Sequence, residues 1–206
     1  MCKSRQAANA KKYSHMMIVC VMPPWERRGL GLHQTEVMDE NAMRRALARI
    51  SYQIIEKNHG ADILLAGVRT RGVPLARRIA GNIHEAHGLC PPVLELDISP
   101  LRDDLPRGAA HTDGRFPDLP ALEGHTVVLV DDVLYTGRTA RAAIEAISRM
   151  GRAGRIQLAV MIDRGHRELP IRPDYVGKNL PTARSERVKV CLKETDGTDA
   201  VMIIQE

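Results

Sequence analysis

The sequence predicts an α/β fold in which a central, mostly parallel sheet is flanked by helices. Short apolar segments suited to buried strands alternate with amphipathic segments suited to helices, the pattern of parallel βαβ units. One of these strands, VVLV, leads directly into Asp131 and Asp132 and then into the turn TGRT at residues 136–139. Because ligands bind beyond the carboxyl ends of parallel strands, this turn is the first candidate for a functional site.

Periodicity and capping residues predict the helices and strands in order. A first helix covers MDENAMRRALARISYQIIEKNHG, with Asp39 as its N-cap and Gly60 as its end. ADILLAG is then a strand, VPLARRIAGNIHEAHG a helix and PPVLELDI a strand. After VVLV follow a helix over 138–150, the strand IQLAVMI, a polar segment to about Arg187, and the terminal strands VKVCL and VMII.

Length and composition favour one compact domain. The chain has 206 residues, 44% of them hydrophobic, and no apolar run approaches the ~20 residues that a membrane span needs. Residues 1–36 lack sustained periodicity and are predicted to be a disordered extension, so the folded domain covers 37–206. The four cysteines lack metal-ligand spacing and follow no convincing secretory signal, which favours a cytoplasmic protein. The net charge of +5 fits acidic partners such as phosphorylated small molecules or nucleic acid.

The segment after VVLV combines groups that suit a sugar phosphate. The start of the helix at 138 offers unpaired backbone N–H groups, which together with the helix dipole favour an anion. Thr136 and Thr139 add hydroxyl groups, and Gly137 lets the backbone approach closely. The two carboxylates repel phosphate and therefore suit sugar hydroxyls or hydrated Mg²⁺. Taken singly, Thr136 or Asp132 could be an ordinary helix cap, but the whole string favours a ribose phosphate.

The string VLVDDVLYTGRT resembles the phosphoribosyl-diphosphate (PRPP) motif of the type I phosphoribosyltransferases. The resemblance implies their fold, with a hood segment and a long flexible loop beside the sheet. It also implies that GVRTRG, after the strand ADILLAG, binds the diphosphate of PRPP, often with a non-proline cis peptide. Residues 99–125 resemble the family's mobile flap, with Arg102, Asp103 and Asp104 in LRDDL. Solvated turns are the plain alternative for both loops.

Further segments resemble one family within this class, the PyrR proteins, from about Met38 to the C-terminus. They are MDENAMRRALARI, GVRTRG, ELDISPLRDDL, VLVDDVLYTGRT and MIDRGHRELPIRPDYVGKNLPTARSE. Members combine uracil phosphoribosyltransferase activity with control of pyrimidine operons by transcription attenuation. The resemblance therefore implies conversion of uracil and PRPP to UMP and diphosphate, and binding to leader mRNA that UMP strengthens. It also implies a homo-oligomer, either a dimer or a larger assembly.

The resemblance also implies roles for individual residues. Asp131 and Asp132 would bind the ribose hydroxyls, and Arg102 and Asp103 would act on the reaction from the flap. Residues 163–171 would form part of a hood over the base, and Mg²⁺ would arrive with PRPP, without an assigned protein ligand. The residues implied for PRPP and UMP binding are Arg69, Thr70, Arg71, Gly72, Val133, Leu134, Tyr135, Thr136, Gly137, Arg138 and Thr139.

The RNA-binding role carries one departure and leaves alternatives open. Its candidates are Arg49, Thr70, His166, Arg167, Arg172, Lys178 and Arg184. An arginine-rich stretch is also typical of a solvated surface. RNA-binding members typically present a Thr and a His where this chain has Ala48 and Tyr52. A salvage enzyme without RNA regulation, for uracil or another base such as hypoxanthine or orotate, therefore stays open. So does an RNA-binding regulator that only senses UMP.

Overall fold

The computed structural model of the protein describes residues 34–60, 62–101 and 122–205. Five strands in these ranges are β2 (Ile63–Val68), β3 (Val93–Leu96), β4 (Thr126–Leu134), β5 (Arg155–Asp163) and β6 (Tyr175–Asn179). They form one sheet in the order β3-β2-β4-β5-β6, and every neighbouring pair is parallel. The predicted α/β fold is confirmed.

Helices cover both faces of this sheet, which explains why its strands read as unbroken apolar runs. Three long helices are α1 (Glu40–Asn58), α2 (Gly72–His87) and α3 (Arg138–Met150). Side chains alternate along the strands, so that Leu65 and Val128 pack with α1 and α2, whereas Leu64 and Val127 pack with α3. No helix in the described ranges is long and apolar enough to cross a membrane.

The first helix begins and ends as predicted. The Asp39 carboxylate Oδ1 accepts a hydrogen bond of 2.7 Å from the backbone N–H of Ala42, which satisfies one donor of the first turn. The helix ends at Asn58, and His59 and Gly60 both adopt the left-handed conformation, with φ of 52° and 68°. A glycine at this position stops the helix because it takes positive φ without steric cost.

A second, antiparallel sheet is formed by both ends of the described chain. Its strands are β1 (Gln34–Met38), β7 (Glu186–Cys191) and β8 (Ala200–Gln205), in the order β1-β8-β7. The short helix α4 (Lys193–Asp196) connects β7 to β8. Val190 and Val201 join the core on the α1 and α2 side of the large sheet. The small sheet therefore packs against the same layer as the first two helices.

Three boundaries differ from the expectation. β1 begins at Gln34, inside the predicted extension, because it pairs with β8; residues 1–33 lie outside the described ranges. β4 does not stop at the two aspartates but continues to Leu134, since β5 runs alongside it to Asp163. The polar segment before Arg187 contains strand β6, whose sequence YVGKN lacks an apolar run because it is the outermost strand of the sheet.

Candidate active site

A cavity of about 280 Å³ lies at the carboxyl edge of the parallel sheet, between the ends of β2 and β4. Its lining comes from two segments, residues 68–71 and 131–139, that are far apart in the sequence. The lining residues are Val68, Arg69, Thr70, Arg71, Asp131, Asp132, Val133 and Thr139. All except Val68 were predicted as site residues. β2 and β4 are direct neighbours in the sheet, so the topology brings the two predicted motifs to one place.

The β2–α2 loop, residues 69–71, borders one side of the cavity. The peptide bond between Arg69 and Thr70 is cis, as the resemblance implied. Gly72 packs so closely under β4 that an added Cβ would clash with the backbone carbonyl oxygen of Val130. Helix α2 then begins without a hydrogen bond from a capping side chain in the described ranges. Its first backbone N–H groups therefore suit an anion.

Both arginines of this loop form ion pairs. The Arg69 Nη1 lies 3.2 Å from Asp97 Oδ2, at the end of β3, and its Nη2 lies 3.6 Å from Glu95 Oε2. The Arg71 Nη2 donates to Asp196 Oδ1 of α4 at 3.0 Å. The loop is thus bound to β3 on one side and to the antiparallel sheet on the other.

The paired aspartates lie near the carboxyl end of strand β4. Asp131 Oδ1 accepts a 2.9 Å hydrogen bond from the backbone N–H of Asp132, and Asp132 Oδ1 accepts one of 2.8 Å from that of Val133. Burial raises the pKa of the Asp132 carboxyl, although the Val133 N–H and the charge of Arg71 act against this rise. Asp132 is therefore a carboxyl group partly withdrawn from water, beside a cation.

The β4–α3 loop, residues 135–137, connects the aspartate pair of β4 to Thr139 of α3, which line the other side of the cavity. Gly137 adopts φ of 95°, a conformation that favours glycine, and precedes the first residue of α3. Like α2, helix α3 begins without a capping side chain among the described residues. The Thr136 hydroxyl oxygen accepts a long hydrogen bond of 3.4 Å from the backbone N–H of Arg138. This helix start is a second place for an anion.

The hood loop, residues 164–174 between β5 and β6, packs directly on the β4–α3 loop. The backbone N–H groups of Glu168 and Leu169 both donate to the carbonyl oxygen of Thr136, at 3.0 and 3.1 Å. The Glu168 carboxylate also accepts from Arg138 Nη2 at 2.9 Å. Residues of the predicted hood segment therefore lie against the turn at residues 136–139.

Arg167 holds these two loops together. Its guanidinium donates to the carbonyl oxygens of Tyr135 at 2.8 Å, Leu134 at 3.3 Å and Ile171 at 3.0 Å, and to Asp163 Oδ2 at 2.6 Å. Its side chain is only 21% exposed. The sequence suggested Arg167 as an RNA contact, but its donors are directed into the protein. The structure thus places it behind the site.

Arg164 is a site neighbour that the sequence interpretation missed. It is 6% exposed, its guanidinium carbon lies 4.2 Å from the centre of the Tyr135 ring, and it donates to Thr182 Oγ1 and the Ala183 carbonyl oxygen at 3.0 Å. His166, another RNA candidate, contacts the Thr182 carbonyl oxygen through Nε2 at 2.6 Å. A charged residue directly after the apolar strand β5 was the available signal for Arg164.

The remaining RNA candidates lie on the surface. Arg49 donates to the carbonyl oxygens of Gly177 and Val176 at 2.6 and 3.1 Å, and Lys178 donates to that of Val37 at 3.2 Å. These bonds bring Arg49 of α1 and Lys178 of β6 to one region. Thr70, Arg172 and Arg184 are also exposed. Tyr52, one of the two departures, is 57% exposed and meets the His87 ring edge-on at 5.6 Å.

Two of the predicted catalytic residues, Arg102 and Asp103, lie outside the described residues. Among residues 34–60, 62–101 and 122–205, no three His, Cys, Asp or Glu side chains are grouped as a metal site would need. A metal ion at the cavity would therefore take most of its ligands from a bound molecule and from water.

Two uncapped helix starts and a pair of carboxylates around one cavity define a protein that binds a phosphorylated sugar or nucleotide. Comparison with known proteins agrees. Residues 33–195 match the family model of the phosphoribosyl transferase domain. The bifunctional protein PyrR of Chloroflexus aurantiacus is 55% identical over 175 residues, which cover 84% of this chain and 96% of that protein. That of Herpetosiphon aurantiacus is 56% identical, over 83% of this chain and 97% of that protein.

The chain therefore belongs to the phosphoribosyl transferase family and, within it, to the bifunctional PyrR proteins. Solved structures with the same fold include hypoxanthine phosphoribosyltransferases. That of Trypanosoma cruzi, in complex with the product IMP, has a TM-score of 0.64 at 16% identity, covering 87% of this chain and 94% of that chain. That of Staphylococcus aureus has a TM-score of 0.60 at 17% identity, covering 82% and 90%. At these identities the likeness concerns the fold.

Proposed function

We propose that the protein transfers the phosphoribosyl group of PRPP to uracil, giving UMP and diphosphate. The observation that carries this proposal is that the β2–α2 loop, the aspartate pair and the start of α3 border one cavity. PRPP has two anionic ends separated by a ribose, and the cavity offers anion-binding groups on two sides with carboxylates between them. Membership of the PyrR family supports uracil as the base.

Each part of PRPP has a matching group. The 5′-phosphate would bind at residues 136–139, where Gly137 and the α3 N-terminus present backbone N–H groups. The ribose hydroxyls would donate to Asp131 and Asp132, which accept without competing with phosphate. The diphosphate would bind at residues 69–72, against the uncapped start of α2. Uracil would lie beneath the hood loop.

The cavity also suits Mg²⁺ that arrives with PRPP. Mg²⁺ prefers oxygen ligands, keeps several waters and usually takes only one or two carboxylates from a protein. Asp131 and Asp132 could hold such an ion directly or through the ribose hydroxyls, and the diphosphate oxygens would complete its shell. When bound, the ion would neutralise charge that develops on the diphosphate.

The chain's own residues would support a reaction without a covalent enzyme intermediate. The bond between C1′ and the diphosphate oxygen breaks with its electron pair leaving on diphosphate; uracil N1 then bonds C1′ and releases its proton. The aspartates would stabilise positive charge on the ribose, and the β2–α2 loop negative charge on the leaving group. Arg102 and Asp103, as flap residues, would help to exclude water from the ribose cation.

A base-competition assay tests the substrate. Purified protein with PRPP and Mg²⁺ should form UMP from uracil, while hypoxanthine and orotate should neither react nor compete at equal concentration. Formation of IMP or orotidine monophosphate instead would overturn uracil as the base. Absence of any nucleotide product, together with tight UMP binding, would favour the alternative of a regulator that only senses UMP.

We also propose that the protein regulates attenuation by binding pyrimidine-operon leader mRNA, more tightly with UMP. The family membership supports this second activity, since its relatives are bifunctional. The surface that we propose for RNA includes Arg49 and Lys178, which the contacts of α1 with β6 and of β6 with β1 bring together. Exposed Tyr52 lies one helical turn from Arg49 and could stack on an unpaired base.

Binding titrations against the leader stem-loop at two salt concentrations test this surface. Arg49→Gln and Lys178→Gln should each weaken binding and each lower the salt dependence by about one phosphate contact. Arg152→Gln, an exposed arginine on the turn after α3, is the matched control and should bind like the unmodified protein. RNA binding that is unaffected by UMP and is lost at moderate salt concentration would indicate a salvage enzyme with a basic surface.

Two further expectations belong with this proposal. A protein that draws on PRPP and a leader transcript would work in the cytoplasm, and we expect a homo-oligomer, as the sequence resemblance implies. Sedimentation analysis of the full chain would measure the second, and a monomer at micromolar concentration would contradict it.

A further inference from the structure

Arg71 borders the cavity, yet its position is set by a residue 125 positions later in the sequence. Asp196, in α4 of the antiparallel sheet, accepts from Arg71 Nη2 at 3.0 and 3.3 Å and from Nε at 3.4 Å. The Arg71 side chain is 32% exposed and that of Asp196 12%. This forked contact is thus largely removed from solvent at the edge of the proposed diphosphate site.

Asp196 is itself held in place by its own segment. Its carboxylate accepts from the Leu192 backbone N–H at 3.1 Å and from Thr195 Oγ1 at 2.7 Å, and Lys189 Nζ lies 3.5 Å away. Burial opposes ionisation of Asp196, but the hydrogen bonds from Arg71, Thr195 and Leu192 outweigh it and lower its pKa to about 2. Asp196 is therefore a fixed anion at physiological pH.

The orientation of the contact matters for the cavity. Asp196 occupies the Nε and Nη2 edge of the guanidinium, whereas Nη1 makes no hydrogen bond within the described ranges. We propose that Asp196 is a positioning residue for phosphoribosyl transfer, which holds Arg71 with its Nη1 edge towards the diphosphate of PRPP. This inference rests on the proposed function, because it requires a diphosphate at the β2–α2 loop.

The physical reason is preorganisation. An arginine side chain has several rotatable bonds, and fixing it costs conformational entropy that binding energy must otherwise offset. A guanidinium already held by one edge can present the other edge without that cost. Lys189 offsets part of the Asp196 charge, so the carboxylate repels an incoming diphosphate less.

If Asp196 had only a structural role, that role would be to hold α4 against α2. A neighbouring ion pair between α2 and the same segment provides a control for this role. Arg78 of α2 binds the same segment, with Nη2 at 2.6 Å from Glu194 Oε2 and 2.8 Å from Asp199 Oδ1. Asp199→Asn therefore removes a partly buried contact between α2 and the segment that follows α4, of comparable geometry, without touching Arg71. A loss of docking would appear in this variant as well.

Titration calorimetry of PRPP with Mg²⁺, combined with steady-state kinetics, tests the inference. Asp196→Asn should raise the Kd and KM for PRPP roughly 10-fold, the effect of one weakened charge-assisted hydrogen bond, and leave the KM for uracil unchanged. Asp199→Asn should keep the PRPP affinity of the unmodified protein, and Asp196→Glu should restore part of it. Melting temperatures of all variants report folding.

A double-mutant cycle separates positioning from other effects. In an Arg71→Gln background, Asp196→Asn should change PRPP affinity less than about twofold, because the residue acts through Arg71. A full effect in that background, or equal losses in Asp196→Asn and Asp199→Asn, would overturn the inference and leave the proposed function standing. Failure of the unmodified protein to bind PRPP would overturn both.

Discussion

The two loops that border the cavity are built alike but held differently. Each follows a parallel strand and leads into a helix without a capping side chain in the described ranges. The β4–α3 loop is held through its backbone, since its carbonyl oxygens accept hydrogen bonds from Arg167 and from N–H groups of the hood loop. The β2–α2 loop is held by charges, namely the ion pairs of Arg69 and Arg71.

This difference follows from what each loop has to bind. The β4–α3 loop would bind phosphate through its backbone, so its backbone geometry must be fixed. The β2–α2 loop presents arginines, and long side chains need partners of opposite charge to hold one rotamer. The β4–α3 loop is therefore held by hydrogen bonds to its own backbone carbonyl oxygens. The β2–α2 loop is held by ion pairs between its arginines and carboxylates elsewhere in the chain.

The largest expected effect concerns the aspartate pair, which lies on the β4 side of the cavity. Replacing both Asp131 and Asp132 with Asn should lower kcat/KM for UMP formation by roughly 100-fold or more, because each hydrogen bond to a charged group is worth about 1.5–3 kcal/mol. Steady-state assays give this number. The circular dichroism spectrum should be unchanged. Activity within threefold of the unmodified protein would refute the ribose assignment.

Glycine replacements test two backbone features, the close packing of Gly72 against β4 and the positive φ of Gly137. Gly72→Ala places a methyl group against the Val130 carbonyl oxygen and should lower the free energy of unfolding by about 1–3 kcal/mol or more. Gly137→Ala has room for its methyl group, but its φ of 95° should cost about 1–2 kcal/mol.

Gly81→Ala, on open helix surface in α2, is the matched control and should stabilise the protein by up to about 1 kcal/mol. Urea unfolding measures all three variants. Equal stability of Gly72→Ala and Gly81→Ala would contradict the close approach of the β2–α2 loop to β4.

Opposite pH dependences should distinguish Asp196, which holds the β2–α2 loop, from Asp132 of β4. The pKa of Asp196 is lowered to about 2, so its contribution to stability, about 2 kcal/mol, is present above the unfolded value of about 3.9 and is lost as the pH falls towards 2. The pKa of Asp132 is raised by burial, so its ionisation costs stability as the pH rises above that unfolded value.

Urea unfolding between pH 2.5 and 7 checks these signs. Asp196→Asn should be destabilised at pH 7, with the difference shrinking at low pH. Asp132→Asn should be more stable than the unmodified protein at pH 7, and that gain should also vanish at low pH. Parallel curves for the two variants would show that the two carboxylates do not differ in this way.

The smallest effect concerns the brace of the β4–α3 loop. Arg167→Lys keeps the charge but loses the planar fork that binds several carbonyl oxygens, so the KM for PRPP should rise roughly 10-fold. RNA affinity should be unchanged because Arg167 points into the protein. A variant with normal kinetics and weakened RNA binding would restore Arg167 to the RNA surface.

Much of the fold and most of the residues that line the cavity could be predicted from the sequence. The strand VVLV, its aspartates and the turn at 136–139 stand together in the sequence, and capping residues set the limits of α1. The sequence did not predict β6 because this edge strand has little apolar sequence. It did not predict the end of β4 because β4 continues beyond its apolar residues for as long as it pairs with β5. Pairing between strands carries no local signal.

The sequence by itself determined the parallel α/β class and the two motifs at the ends of β2 and β4, because these depend on periodicity and on neighbouring residues. Only the tertiary structure decided that Asp196 holds Arg71, that Arg167 faces inward and that Arg164 stacks on Tyr135. The physical reason is that an arginine's role depends on which partner lies within about 3 Å of its guanidinium. Those partners come from segments that only folding brings together.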